Sequence, residues 1–415
     1  MKFGIITYLP HKENKDEYYS YAPYISEMNM WLKNIVKTLV AAPKTPGFPT
    51  QIETAYSESE IEFYQIPGMN FTNPENIVAS LRNFPAVIVG VWKVMKRADH
   101  LHLRCPGNVS LIGCFLQIFF PRKPKTAKYA GNWDPEARQP WSYKLQKWLL
   151  SNTFLTRNME VLVYGDWPGQ SKNVKPFFTA SFSEREKNEV RDKKFEAPFT
   201  FLFVGNLVEG KRPLEAIKIV EKLNFSERRG MDSDSEISAD FDSQNRSSDR
   251  FFLTIYGDGP ERERLEEYCR RKDLENLIHF KGNRPLQELK NAYQKAHFLI
   301  LPSRSEGWPK AIAEGMFFGC IPIATSVSCV PWMLGGGSRG ILLKNQQPVR
   351  IGQEVEKILK LLADQEKMKM MSDGAKEWSQ KYTLEKFEAA LKEVLKTSNG
   401  KSISPKGRDL GVGCE

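Results

Sequence analysis

The chain has 415 residues, 41% hydrophobic and 27% charged, a composition typical of a globular protein and not of a fibrous or disordered one. This length is too great for one ordinary core, so we expect two α/β domains. The formal net charge is +10, and residues 1–180 carry +7 of it, with 21 Lys and Arg against 14 Asp and Glu. Such an excess suits a phosphorylated acceptor, a membrane surface or a nucleic acid, while a solvated basic surface that only aids solubility is the alternative.

The cysteines and the apolar runs indicate whether the protein binds zinc and where in the cell it works. The six cysteines show no C-x-x-C spacing, which favours buried reduced thiols over a zinc site. The apolar start is short and runs into Pro10, so no signal peptide is visible. The longest apolar run, residues 109–120, is shorter than the roughly 20 residues that span a bilayer. We therefore expect a cytoplasmic protein with peripheral contact at the inner face of the membrane.

The first half of the chain predicts strands and helices in alternation, after an opening buried strand at 2–7. Further strands are predicted at 86–91, 101–103 and 161–164, with a strand end near Tyr129, and helices at 28–40, 109–120 and 141–150. A polar, aromatic loop, residues 8–24, follows the first strand. Such a loop often belongs to a binding cleft, although a tyrosine-rich lid without ligand contact fits as well.

Arg104 ends a predicted strand and lies beside a predicted helix N-terminus, which makes an anion site there reasonable. His102 and Arg104 could instead be a hydrogen-bonded core histidine and a surface salt bridge. A basic cluster follows, containing Arg122, Lys123, Lys125 and Lys128. It is either a solvated loop or a contact with lipid headgroups.

The second half alternates regularly between strands and helices. The strands are predicted at 199–204, 251–256, 277–280, 297–301 and 321–324, and the helices at 213–223, 260–271, 286–296, 310–318, 352–362 and 384–395. This order predicts a parallel sheet with helices on both faces, and ligands at the carboxyl ends of its strands. We expect domains at 1–180 and 199–380, a linker at 181–198, a flexible insertion at 225–250, a final helix at 381–398 that packs back toward the first domain, and a disordered tail at 399–415.

The residues best suited to binding a ligand lie in two loops at strand ends. After the first strand of the second half, Gly205 allows close backbone approach, and Lys211 or Arg212 can neutralise a diphosphate. After the strand that ends at Pro302, Glu306 and Glu314 flank the start of a helix and have seven residues between them. A helix N-terminus suits a phosphate, and carboxylates beside it can accept hydrogen bonds from sugar hydroxyls. The pattern predicts a nucleotide-sugar pocket; an exposed loop acid and a helix-surface acid are the alternative.

The stretch from Phe280 to Leu343 resembles the donor domain of retaining GT-B glycosyltransferases, most closely glycosyltransferase family 4. The resemblance rests on five short segments, namely 280–282, 301–303, 306–309, 314–316 and 319–325, with 340–343 after them and 205–211 as the family's first diphosphate loop. It implies a GT-B fold, with two Rossmann-like domains facing a cleft.

The resemblance also implies roles for single residues. Glu306 would contact the transferred sugar, Glu314 would hold the ribose hydroxyls, and Lys211 would bind phosphate. Asn206 stands where an arginine is usual, and Arg212 next to Lys211 can compensate. The remaining implied donor contacts are Gly205, Gly307, Trp308, Pro309 and Lys310, and residue Lys281 ends a strand where backbone groups could read a base edge. On the acceptor side, Tyr8 replaces a glycine-rich loop, Arg104 is an anion-site candidate, and His102 or Asn132 takes the place of a cleft histidine.

Such enzymes are expected to work without a metal or other cofactor, with the leaving phosphate assisting the incoming hydroxyl. The expected partners are a nucleotide-diphosphate sugar, a glycan or lipid-linked acceptor and an anionic membrane. A sugar-nucleotide-binding protein without transferase activity is the alternative, suggested by Asn206 and the altered first loop. A nucleic-acid-binding protein fits the positive charge, but no recognition module is present in the sequence, so no nucleic-acid partner is expected.

Overall fold

The computed structural model describes residues 1–50, 52–70, 73–231, 250–346 and 349–398, without the side chains of 227–231 and 398. The elements of the first part are β1 (Lys2–Ile6), β2 (Lys12–Asn14), β3 (Glu17–Tyr21), α1 (Ala22–Leu32), β4 (Lys37–Ala42), β5 (Glu53–Ala55), β6 (Glu60–Gln65), α2 (Pro74–Arg97), β7 (His100–Cys105), α3 (Asn108–Leu116), β8 (Lys125–Tyr129), α4 (Trp141–Ser151), β9 (Met159–Tyr164) and β10 (Val174–Phe177). Short 3₁₀ helices lie at Gln117–Phe119 and Glu184–Glu189.

The second part continues the alternation. Its elements are β11 (Phe199–Val204), α5 (Pro213–Met231), β12 (Phe251–Tyr256), α6 (Arg262–Arg271), β13 (Ile278–Gly282), α7 (Leu286–Lys295), β14 (Phe298–Leu301), α8 (Lys310–Phe317), β15 (Ile321–Thr325), α9 (Val330–Met333), β16 (Ile341–Leu343), α10 (Ile351–Leu362), α11 (Gln365–Ser379) and α12 (Leu384–Ser398). A 3₁₀ turn, Glu209–Lys211, precedes α5.

Two parallel sheets organise the molecule. The first has the order β10-β9-β8-β7-β1-β4-β6, and the second has the order β13-β12-β11-β14-β15-β16. A small antiparallel sheet, β2-β3-β5, lies beside the first. Strand order reverses between β1 and β7 in the first sheet, and between β11 and β14 in the second. Crevices form at such switch points, because the flanking loops leave in opposite directions.

The carboxyl edges of the two sheets face each other. A Cβ atom added to Gly307, after β14, would lie 2.4 Å from the carbonyl oxygen of Ala130, after β8. The rings of Tyr164 and Trp308 have centroids 5.7 Å apart across the same junction. The loops that follow the strands of both sheets therefore meet in one cleft region.

The chain crosses between the two parts twice. After the linker, it returns at residues 380–383, where the Leu384 amide donates to the Phe182 carbonyl (2.9 Å) and the Thr383 hydroxyl bonds Glu184 (2.8 Å). Helix α12 then buries Phe387 and Leu391 in the core formed by α1 and the first sheet. The last helix thus completes the core of the first domain.

Three predictions of secondary structure in the first half are wrong. The predicted loop at 8–24 contains β2, β3 and the first residues of α1. The predicted helix at 28–40 is the end of α1 followed by β4, because Asn34 takes the left-handed conformation (φ 72°) and ends the helix. The predicted strand at 86–91 lies inside α2, whose inward residues Val87, Val91 and Val94 recur at helical spacing. The β-branched run alone does not distinguish a strand from a helix with one buried face.

The basic cluster at 122–128 is not a solvated loop. Lys125 and Lys128 are fully buried, and their ammonium groups donate to the carbonyls of Phe120 (2.9 Å) and Phe178 (3.2 Å). Lys123 donates to three carbonyls at the end of α2. These lysines hold the local structure in place. Of the basic cluster, only Arg122 remains available for a surface role.

The predicted insertion and tail lie largely outside the described residues. The first residues of the insertion are helical, because α5 extends to Met231. Residues 232–249 and the tail at 399–415 lie outside the described residues. Among the described residues, α2 alone is long and apolar enough to cross a membrane, and 22% of its most apolar window is buried.

Candidate functional site

Two loops at the switch point of the second sheet meet through an ion pair. The Lys211 ammonium lies 2.6 Å and 2.8 Å from the two carboxylate oxygens of Glu306. The Glu306 side chain is 7% exposed and that of Lys211 is 29% exposed. Lys211 follows β11 and Glu306 follows β14, and these strands are neighbours. The structure thus brings together two predicted site residues, Glu306 and Lys211, in an ion pair that was not predicted from the sequence.

The backbone of the Lys211 loop is held in place by its neighbours. The Gly205 amide donates to the Tyr256 carbonyl (3.0 Å), and the Leu207 amide to the Asp258 carbonyl (2.9 Å). A Cβ atom on Gly257 would lie 1.9 Å from the Gly205 carbonyl oxygen, so only glycine allows this approach. Asn206 is exposed at the start of the loop.

Arg212 is the most unusual side chain of the loop. It has a left-handed backbone (φ 52°), and its side chain is 4% exposed. Its Nε and Nη1 atoms are buried and have no hydrogen-bond partner among the described residues. Burial lowers the pKa of Arg212, while Glu215 raises it and Arg304 lowers it. A buried guanidinium with unused donors is costly unless an anion or water meets it.

Two residues that sequence reasoning left unassigned join this group. Arg304 forms an ion pair with Glu209 (2.7 Å), and its amide donates to the Gly210 carbonyl (2.8 Å). The Ser303 hydroxyl is buried without a partner among the described residues. Both residues lie between Pro302 and Glu306, and this position in the loop is the sequence feature that could have identified them. The loops after β11 and β14 together carry three cations and two acids.

Glu314 has hydrogen-bond partners that differ from those of Glu306. Its carboxylate accepts hydrogen bonds from the Ser181 hydroxyl (2.6 Å) and the Tyr293 hydroxyl (2.8 Å). The Glu306 carboxylate has a different partner, Lys211. In this conformation the Glu314 carboxylate contacts the linker through Ser181, and the expectation that both acids flank one pocket stays a prediction.

Other predicted donor contacts also have structural partners. Trp308 is buried and stacks on Trp378, with ring centroids 6.1 Å apart. The Lys310 side chain lines a small cavity with the linker residue Ser181, and its charge acts on Glu27 of the first domain. Pro309 precedes the first residue of α8, and Lys281 is exposed on the edge strand β13. Of these side chains none lies in the Lys211–Glu306 contact.

Gly307 has a backbone role. Its carbonyl accepts from the Ser328 hydroxyl (3.3 Å) and the Cys329 thiol (3.1 Å). Because its missing side chain leaves room for the Ala130 carbonyl, Gly307 allows the two domains to touch beside Glu306.

The predicted residues of the first domain are mostly held by their own domain. His102 is buried, bonds Thr126 (2.9 Å), and has a pKa lowered to about 3 by burial. It is a neutral core histidine, and its assignment as a cleft histidine is wrong. Asn132 remains at the cleft edge, where its side-chain oxygen accepts from the Asp134 amide (2.9 Å).

Arg104 and Tyr8 lie at the switch point of the first sheet. Arg104 donates to Glu27 (3.0 Å), an acid that sequence reasoning missed, and this partner already neutralises its charge. The pair is buried, so Arg104 is neither a surface salt bridge nor a free anion site. The Tyr8 ring covers Gly107, where an added Cβ atom would lie 2.5 Å from the ring.

Metal ligation has little support in this geometry. In the described part of the chain, no three His, Cys, Asp or Glu side chains lie close enough to hold a metal ion. The expectation of a metal-free reaction stays a prediction.

Comparisons with known proteins agree with the second half of the chain. Residues 184–378 match the family model described as Glycosyl transferases group 1. An uncharacterized glycosyltransferase of Methanocaldococcus jannaschii is 30% identical over 144 residues, which cover 35% of this chain and 40% of that protein. The match thus spans less than half of that relative's length.

Solved structures match nearly the whole chain. The sucrose-phosphate synthase of Thermosynechococcus elongatus aligns with a TM-score of 0.63 and 16% identity, covering 97% of this chain and 100% of that one. HepE of Anabaena, solved in complex with UDP and glucose, aligns with a TM-score of 0.61 and 14% identity, covering 96% and 100%. These likenesses confirm the predicted GT-B fold. Residues 184–378 are therefore similar to the Glycosyl transferases group 1 family, and the chain as a whole has a GT-B fold.

Proposed function

We propose that the protein is a retaining glycosyltransferase of family 4 type, which moves a hexose from a nucleotide-diphosphate sugar to a growing glycan. The observation that carries the proposal is the Lys211–Glu306 contact at the switch point of the second sheet, beside the unpartnered guanidinium of Arg212. We further propose that the acceptor belongs to a surface polysaccharide or is lipid-linked, and that the protein works in the cytoplasm.

Arg212 supplies the anion site in this proposal. Its buried Nε–H and Nη1–H donors, with the nearby charges of Lys211 and Arg304, suit the two phosphates of the donor. Arg212 thereby takes the part of the arginine that Asn206 replaces. The first turn of α8 adds its partial positive charge beside Glu306.

The reaction then needs little covalent chemistry from the protein. The bond between the sugar carbon and the phosphate oxygen breaks, a bond to the acceptor oxygen forms on the same face, and the hydroxyl proton goes to the leaving phosphate. Lys211 and Arg212 stabilise the charge that develops on the nucleoside diphosphate. Glu306 orients the sugar and is not a nucleophile, because a lysine already neutralises it. No metal is required for these steps.

A thermal-shift panel of nucleotide-diphosphate sugars tests the donor, because a ligand that binds the folded state raises the melting temperature. We expect one donor to raise it, and Arg212→Gln to remove that shift. Lys369→Ala is the matched control, an exposed cation on α11 without an assigned donor contact, and it should keep the shift. The proposal fails if no donor shifts the wild-type protein or if the control loses the shift equally.

A sugar-nucleotide-binding protein without transfer activity is the second candidate. It is favoured by Asn206 and by Tyr8, which stands where the family has a glycine-rich first loop and whose ring covers Gly107. Mass-spectrometric detection of sugar release or transfer by the pure protein would exclude it. Donor binding without either product would establish it in place of the first.

A further inference from the structure

Helix α2 has two apolar faces, and within the described part of the chain only the inward one is buried in the core. The inward face places Val87, Val91 and Val94 against the first sheet. The outward face carries a second stripe at helical spacing, made of Val78, Leu81, Pro85, Val89 and Trp92. Leu81 is 62% exposed and Val89 is 50% exposed. A helix that only had to cover the core would carry polar residues there.

The outward stripe continues onto the next element. The Trp92 ring meets Phe119 at 5.9 Å between centroids, and Phe119 is 68% exposed. Phe115, one helical turn earlier on α3, is also exposed. We name the outward stripe of α2 together with Phe115 and Phe119 the apolar face.

Positive charges surround the apolar face. Four exposed cations lie on or beside it: Arg82, Lys93, Lys96 and Arg122. There is no acidic residue at positions 76–98 or 100–133 of the sequence. Asp99, between these stretches, accepts a hydrogen bond from the Lys2 amide (2.7 Å). Much of the positive charge of the first half is therefore displayed here and not at the cleft.

Helix α2 is fastened to its domain along its whole length. Near its start, the Ser80 hydroxyl bonds the Asn70 backbone at 2.8 Å and 2.9 Å. In its middle, a Cβ atom on Gly90 would lie 2.4 Å from the Ile66 side chain. At its end, Lys123 binds the carbonyls of Met95 and Lys96. The helix can therefore contact a bilayer only with its outward face and cannot be surrounded by lipid.

We propose that the apolar face and its cations form a docking surface for an anionic lipid bilayer. Trp92, Leu81 and Phe119 would enter the headgroup region, and the cations would meet lipid phosphates, the combination that binds interfacial helices to membranes. A second copy of the chain fits less well, because a symmetric contact would oppose the cations of two identical faces with no acid between them. The inference does not depend on the donor proposal.

The docking places the cleft at the membrane. Helix α2 is about 36 Å long, and its first turns follow β6 at the carboxyl edge of the first sheet, which is the cleft edge. Beside them, the Asn108 amide group donates to the Met69 carbonyl (3.4 Å), at the loop after β7. A helix lying in the membrane surface thus holds the acceptor side of the cleft next to the headgroups.

Vesicle sedimentation of the full chain tests the surface, with phosphatidylcholine vesicles compared with vesicles containing phosphatidylglycerol. We expect binding to the anionic vesicles only. The charge variant Arg82→Gln/Lys93→Gln/Lys96→Gln should bind about 100-fold more weakly, since each cation near an anionic surface contributes roughly a fivefold factor. The apolar variant Leu81→Gln/Val89→Gln/Trp92→Gln should lose binding even at low salt.

The matched control is Lys367→Gln/Lys369→Gln/Met370→Gln on α11, which changes equally exposed residues of the second domain. It should bind like the wild-type protein, and all variants should keep the wild-type melting temperature. Absence of wild-type binding, or equal loss in the control, would overturn the proposal. So would binding that withstands high salt, which indicates insertion, or a dimer that the apolar variant dissociates, which identifies a second copy as the occupant.

Discussion

The two sheets have equivalent switch points that are used differently. In the second sheet, the loops after β11 and β14 bring together Lys211, Glu306 and the unpartnered guanidinium of Arg212. In the first sheet, the Tyr8 ring covers Gly107 beside the crevice between β1 and β7, and Arg104 is neutralised by Glu27. The same topology thus leaves a guanidinium without a partner among the described residues in one domain and pairs the guanidinium with an acid in the other, and the loop residues decide which.

The strongest test of this difference removes the ion pair of the second switch point. Glu306→Gln and Lys211→Ala should each lower turnover by about 10²–10³-fold, as loss of one preorganised charge does in other enzymes. Glu306→Gln should change the melting temperature little, whereas Lys211→Ala leaves the buried Glu306 carboxylate unpaired and should also lower the melting temperature. Steady-state kinetics and thermal unfolding measure the two effects.

Glu314→Gln is the matched comparison for that test. It weakens hydrogen bonds from Ser181 and Tyr293, so we expect a lower melting temperature with most of the turnover retained. Equal loss of turnover in both glutamate variants would place Glu314 in the donor site.

The pH dependence of stability tests whether the Lys128 ammonium is buried inside the first domain. Burial lowers its pKa from 10.5 to about 7, while Glu27 raises it and Arg104 and Lys310 lower it. Between these two pKa values the unfolded chain binds more protons than the native protein, so this residue makes stability rise with pH. Lys128→Met should reduce the increase in unfolding free energy from pH 7 to 9 by roughly 2 kcal/mol.

Denaturant titrations at the two pH values measure that difference. Lys369→Met, an exposed lysine on α11, is the control and should keep the wild-type slope. An identical slope in the Lys128 variant would show that its ammonium reaches solvent.

Gly307→Ala tests the contact between the two switch regions. The new Cβ atom would lie 2.4 Å from the Ala130 carbonyl oxygen, so the domains must separate slightly. We expect about tenfold lower turnover, equivalent to a barrier higher by about 1.4 kcal/mol. Small-angle scattering should show a larger radius of gyration. Gly68→Ala, which meets only a proline carbon at 4.0 Å, should change neither quantity.

The smallest effect is expected at the first switch point. Tyr8→Ala opens the crevice over Gly107 but touches no residue of the Lys211 loop, so donor affinity should stay within about twofold. Calorimetric titration with the donor measures it. A tenfold weaker donor would mean that both switch points bind the same ligand.

The second half of the fold was predictable because its strands are short apolar runs separated by glycine- and proline-containing turns. The first half was harder. The run at 86–91 has strand composition, yet a helix uses it for one inward and one outward apolar face. At Asn34, the left-handed backbone ends helix α1 within a stretch whose apolar spacing predicts one continuous helix at 28–40.

The candidate site was predictable only in part. Glu306 and Lys211 follow neighbouring strands, so topology brings them together. Glu314 depends on which way α8 turns, and its partners Ser181 and Tyr293 are distant in the sequence. The burial of Lys125 and Lys128 depends on carbonyls supplied by other loops, which local composition does not reveal.

The final helix has a consequence for dissecting the protein. Because Phe387 and Leu391 of α12 belong to the core of the first domain, residues 1–180 expressed alone would expose an apolar surface that the native chain covers. Conversely, a protease cut in the linker would yield two fragments that remain associated. The two domains therefore have separate sheets, but the stability of each depends on the other.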